Sequence, residues 1–164
     1  LAALNGHTKT VEAFRGISRT LILEGDNNGN TALHLAALNG HTETVKALHD
    51  ISPTLINEEN NQGITALCFA AFHGNTDTVN ALLDISRTLI NDKDNKGNTA
   101  FHLAAFNGYT DTVKALLNIS HTLVNEENKE GWTALDLANM NGHTACEEYL
   151  LENGAHYPSA CLLQ

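Results

Sequence analysis

Apolar residues along this chain come in short bursts, and the bursts recur. Leu33, Leu35, Ala36 and Ala37 form one burst, and Val45 and Leu48 form the next. Three residues apart, Val45 and Leu48 share one face of a helix. A polar stretch rich in Asn and Glu, residues 51–62, follows before the pattern restarts. The restart is periodic. Gly6, Gly40, Gly74, Gly108 and Gly142 stand 34 residues apart, as do Gly29, Gly63, Gly97 and Gly131, and Thr31, Thr65, Thr99 and Thr133. Ile-Ser-x-Thr-Leu recurs at Ile17, Ile51, Ile85 and Ile119. The units that start at Gly63 and Gly97 share about 19 of 34 residues. A period in this range marks a stacked-repeat architecture.

One unit, residues 29–62, shows what each repeat encodes. Thr31 follows a Gly turn, where its hydroxyl can accept from an orphan amide of a first helical turn. Helix formers follow it. Gly40 stops this first helix, because glycine tolerates the left-handed conformation of a C-terminal cap. A second helix is expected over residues 42–50, with Glu43, and its counterparts Asp77 and Asp111, placed where the helix dipole favours an anion. Residues 51–62 read as a projecting loop. Neither short helix can bury its apolar face alone, whereas stacked neighbours bury each other's. The fold expected is an all-α solenoid of helix-turn-helix units with projecting loops. It divides into a partial first unit, 1–28, full units at 29–62, 63–96 and 97–130, a closing unit at 131–157 and a tail at 158–164, all in one domain.

Composition narrows the function. Of 164 residues, 42% are apolar but only 5% aromatic, which suits close-packed helices better than a large pocket. The formal net charge is -10, with nine Lys and Arg scattered along the chain. A nucleic-acid binder needs a basic stripe to displace counterions, and anionic lipid head groups make a similar demand. Both are expected to be absent as partners. Cys68, Cys146 and Cys161 lie far apart without CxxC spacing, so a reducing, cytoplasmic setting fits better than a disulfide framework or a zinc site. No apolar run approaches the ~18 residues that span a bilayer. The chain starts at Leu1, inside a unit, and reads as a piece of a longer protein.

Repeats also supply an internal control, since a residue found in every unit at one position serves the solenoid. Ser18, Ser52, Ser86 and Ser120 share a position; so do His34 and His102, and so do His7, His41 and His143. His34 and His102 therefore read as hydrogen-bonded structural histidines. Cys68 stands where those histidines do and reads as buried and inert. No HExxH, GxGxxG or P-loop is present, and Glu58, Glu59, Glu126 and Glu127 do not follow calcium-loop spacing. No catalytic residue, metal or cofactor is expected, and the chain is not expected to be an enzyme.

At these residues the chain resembles the ankyrin-repeat family. The family's Thr-Pro-Leu-His stands here as Thr31-Ala32-Leu33-His34, Thr65-Ala66-Leu67-Cys68, Thr99-Ala100-Phe101-His102 and Thr133-Ala134-Leu135-Asp136, and its Leu-Ala-Ala-x-x-Gly-His as residues 35–41. Ala replaces Pro throughout. The family's Gly-Ala-Asp-Val-Asn link is replaced by segments such as 85–91, passing the buried Val role to Ile56, Ile90 and Val124. The last unit reverts to the family text at 150–155, which marks the end of the array. The resemblance implies a protein partner held in a concave groove and on the loop tips. On that basis the candidate surface is a strip of Leu38, Phe72, Phe106 and Met140, edged by Ile64 and Trp132 and flanked by Asn39, His73, Asn107 and Asn141. Contiguous exposed apolar surface of this kind marks interaction sites. The other reading is that these side chains pack between adjacent units. Acidic tips at Glu58, Glu59, Asp92, Asp94, Glu126 and Glu127 favour a basic partner through steering, although Lys93, Lys96 and Lys129 interrupt that field. A monomer is expected.

The tail supplies a second function. Cys161-Leu162-Leu163-Gln164 matches a prenylation signal of the farnesyl type, which would make the chain a membrane-recruited adaptor, eukaryotic or bacterial with a host's enzyme. No polybasic run supplies the second membrane signal that one lipid needs. The alternative is that Cys161 is an ordinary apolar residue of a closing segment.

Overall fold

The computed structural model describes residues 1–14 and 20–157, and those residues contain helices and turns but no strands. After α1 (Thr8–Ala13) and α2 (Thr20–Leu23), helices come in pairs: α3 (Ala32–Leu38) with α4 (Thr42–Ile51), α5 (Ala66–Phe72) with α6 (Thr76–Ile85), α7 (Ala100–Phe106) with α8 (Thr110–Ile119), and α9 (Ala134–Met140) with α10 (Thr144–Glu152). The short helices α3, α5, α7 and α9 stack into one row, and α1, α4, α6, α8 and α10 into another. The expected all-α solenoid of helix-turn-helix units is the fold observed.

Local chemistry sets each pair. Thr31, Thr65, Thr99 and Thr133 hold the extended backbone of an N-cap. Three of these caps close into reciprocal boxes with His34, His102 or Asp136, so two orphan amides are satisfied at once. Gly40, Gly74 and Gly108 end the short helices at φ near +70°, a conformation costly for any side chain. Small residues then let the short helices approach: Ala36, Ala37, Ala70, Ala71, Ala104 and Ala105 are all fully buried.

One expectation needs correction. Residues 51–62 are not a loop throughout, since one 3₁₀ turn spans Pro53–Asn57, with counterparts at Arg87–Asn91 and His121–Asn125. Extended Ser52 ends α4, and its carbonyl accepts from Leu55 N–H at 3.1 Å to start the turn. The turn buries Leu55 with Ile56, and Leu89 with Ile90, while Leu123 is buried and Val124 half-buried.

Neighbouring pairs are joined by hydrogen bonds at four levels. Threonine hydroxyls bridge the long helices at 2.8 Å in Thr8···Thr44, Thr42···Thr78 and Thr76···Thr112. At the tips, Asn61 N–H donates to Asn28, Asn95 to Gln62 and Lys129 to Lys96, each bond at 3.0 Å. Side chains add Asn60 to Asn30 and Asn128 to Asn98, both at 2.8 Å. At the far ends of the short helices, His41 bonds the Leu4 carbonyl, Asn75 the Leu38 carbonyl and His143 the Phe106 carbonyl. The junction between α5–α6 and α7–α8 is different. Asp94 stands there in the place of Asn60 and Asn128, and Ile64 in the place of Asn30 and Asn98, so no amide pair links the tips. Tyr109 takes the capping position and lays its ring on Gly74. Among the described residues no side chain donates to the Phe72 carbonyl.

The last pair is closed by polar groups. Asn139 stands where the other short helices bury Ala37, Ala71 or Ala105. It donates to Glu147 at 3.0 Å, and Glu147 also accepts from the Tyr157 hydroxyl at 2.6 Å.

Candidate functional site

Helices α3, α5 and α7 turn Leu33, His34, Ala36 and Ala37, or their equivalents, into the core, and α9 does so at all but Asn139. The remaining face carries residues at i, i+3 and i+4, which neighbour one another on a helix surface. In α5 these are Phe69, Phe72 and His73, and every pair repeats the arrangement. Phe72 is 37% exposed, Phe106 41% and Met140 61%, while Leu38 is half-buried. Trp132 is 38% exposed at its tip, and Ile64 is half-buried. The side chains of the strip lie along the packed helices and still present apolar surface to water.

Three of the four residues of the polar flank are tied to their own helices. Asn39, Asn107 and Asn141 each donate an amide to the carbonyl four residues earlier, Leu35, Leu103 and Leu137, at 2.8–3.1 Å. They bond carbonyls of the last helical turn, where a helix end leaves such groups short of partners. His73 is the exception, its ring set edge-on to Phe72 at 5.2 Å between centroids. At the tips, Asn30 and Asn98 donate to Asp26 and Asp94 at 3.0 Å. These amides are committed, which leaves Ile64 and Trp132 as the tip residues that project apolar groups.

Sequence reasoning missed two contributions. Leu35, Phe69, Leu103 and Leu137 are half-buried beneath the strip, and their spacing three residues before it was the available clue. Tyr109 is 39% exposed, and it breaks a position otherwise held by His41, Asn75 and His143.

The titratable groups near the core are structural. His34 Nδ1 accepts from the Thr31 backbone N–H at 3.0 Å, so its proton sits on Nε2, which donates to the Ile64 carbonyl at 2.9 Å. His102 repeats this with Thr99 and the Glu126 carbonyl, at 3.3 and 2.9 Å. Burial pushes both imidazoles below the ordinary histidine value. At the equivalent place in α9, Asp136 accepts from Thr133 N–H at 2.9 Å. Cys68 is fully buried, and desolvation pushes its thiol up to about 11. The Cys146 thiol is also pushed up to about 11. A thiolate is the reactive form, so both are inert at neutral pH. Among the described residues no three His, Cys, Asp or Glu side chains gather as a metal site, and no helix is long and apolar enough to cross a membrane. Cys161 lies outside the described residues.

Stacked helix pairs with structural histidines and an apolar outer strip define a helical-repeat binding scaffold. A family model for ankyrin repeats (three copies) matches residues 1–94 and 85–160, and the chain belongs to the ankyrin-repeat family. No curated protein matches it. Proteins of this family are, as a rule, protein–protein interaction scaffolds rather than catalysts.

Proposed function

We propose that the chain holds a partner protein across the outer face of its short helices, the concave side of the solenoid, and along its loop tips. Phe72, Phe106 and Met140 are the central anchors, Leu38 extends the strip, and Ile64 and Trp132 edge it. The observation that carries this reading is the row of large apolar side chains left exposed on successive short helices. Scattered exposed apolar residues are ordinary, but contiguous ones mark interaction surfaces. Aromatic anchors are also the residues most often found to dominate binding, at about 2 kcal/mol or more each. His73 and the free carbonyl oxygens of Asn39, Asn107 and Asn141 supply the polar border. The net charge of -10 favours a monomer through self-repulsion.

The test is affinity capture from extract with the wild-type chain beside a Phe72→Ser, Phe106→Ser variant of equal helicity. Each captured protein is then titrated against the chain while the emission of Trp132, the single tryptophan, is followed. Partners that shift Trp132 emission and are lost from the variant support the strip. Partners held equally by both chains sink it and move attention to the long-helix face.

A further inference from the structure

The chemistry around the strip says what kind of segment fits it, given the docking reading above. The strip itself bears no exposed charge: α3, α5 and α7 read ALHLAAL, ALCFAAF and AFHLAAF. Its tip-side border is strongly acidic. Segments 24–30, 58–64, 92–98 and 126–132 hold nine carboxylates and three lysines, and so most of the net charge of -10. These segments lie against the starts of the short helices, where the Glu126 carbonyl accepts from His102 at 2.9 Å and the Ile64 carbonyl from His34 at 2.9 Å.

Three lysines against nine carboxylates leave that border net negative. Lys93 Nζ pairs with Glu126 at 2.7 Å, Lys129 Nζ donates to the Asn95 carbonyl at 3.1 Å, and Lys96 is exposed. Glu58, Glu59 and Glu127 stand exposed without such a partner among the described residues. On the opposite border, the Phe72 carbonyl accepts from no side chain among the described residues. It ends a helix whose dipole adds partial negative charge there. The exposed rings, Phe72 and Phe106 on the strip, Trp132 on its tip side and Tyr109 on the opposite side, present π faces that attract cations.

We infer that the strip's occupant is a polypeptide segment in which lysine or arginine alternates with large apolar side chains. Its apolar groups lie on Phe72 and Phe106. Its cations reach the tip carboxylates on one side and the Phe72 carbonyl on the other. An acidic segment, or a second copy of this chain, meets like charge along the tips and is disfavoured.

The test is selection of random twelve-residue peptides on the immobilised full chain, followed by titration of synthetic winners by Trp132 fluorescence at low and high salt. The expected pool is enriched over its input in Lys or Arg together with aromatic and aliphatic residues. A Glu58→Lys, Glu59→Lys, Glu127→Lys variant of unchanged helicity should bind the winners about tenfold more weakly, the sum expected for three exposed charges, and should lose most of the salt dependence. Phe72→Ser, Phe106→Ser should abolish binding. Neutral or acidic winners that tolerate the lysine variant but fail with the serine variant overturn the basic partner and leave the docking strip standing. Winners indifferent to the serine variant, or a pool no different from its input, overturn both.

Discussion

His34 and His102 show how a residue's role follows from its hydrogen-bond directions. A backbone N–H can only donate, so Nδ1 of each ring must accept, and protonation there would break the cap at Thr31 or Thr99. Both folded-state values lie below the ordinary 6.5. The unfolded chain therefore takes up these protons first as pH falls. Stability is complete above the unfolded value, declines as pH drops below it, and is lost through the lowered folded values. Denaturant midpoints should fall between about pH 7.5 and 5. A His34→Cys, His102→Cys variant, which copies the side chain Cys68 already places at this position, should lose less over the same range. An equal loss in both chains would show that the acid sensitivity does not arise at His34 and His102.

At the scale of the helices, the turn glycines separate backbone strain from contact. Gly108 and Gly142 have φ of +71° and +72°, so alanine at either meets the same left-handed penalty of about 1–2 kcal/mol. They differ in surroundings. A Cβ on Gly108 would meet His143 Nδ1 at 2.5 Å, whereas one on Gly142 meets nothing within 4 Å. His143 would have to release the Phe106 carbonyl, so Gly108→Ala should destabilise by about 1 kcal/mol more than Gly142→Ala in thermal or urea melts. These elements were legible beforehand because Thr caps and Gly stops act locally, and repetition made them unambiguous. The 3₁₀ turn at Pro53–Asn57 was not legible. Its apolar pair, Leu55 and Ile56, is adjacent in sequence and carries no helical period. The strip was readable as a list of residues, but the roles of its flank were not. Whether Asn107 faces a partner or its own helix depends on a rotamer, and Tyr109 appears only once the ring is seen against Gly74.

For the whole molecule, coupling between neighbours sets how the array behaves, because stability in such a stack is a sum of unit and interface terms. Those interfaces are unequal. Between α5–α6 and α7–α8 the tip amide link and the carbonyl cap are both missing, while the threonine bridge Thr76···Thr112 and the bond from Asn95 to Gln62 persist. That junction should part first, giving a biphasic urea transition and faster amide exchange on either side of it. Tyr109→His would supply the donor that His143 gives to Phe106, and should add about 0.5–1.5 kcal/mol and sharpen the transition towards a single step. A single step in the wild type would show the remaining bonds to be enough. Phe72 and Phe106 stand on opposite banks of this seam. A ligand gripping both would act as a clasp across it, so occupancy should be readable without following the ligand at all, as two unfolding steps fusing into one.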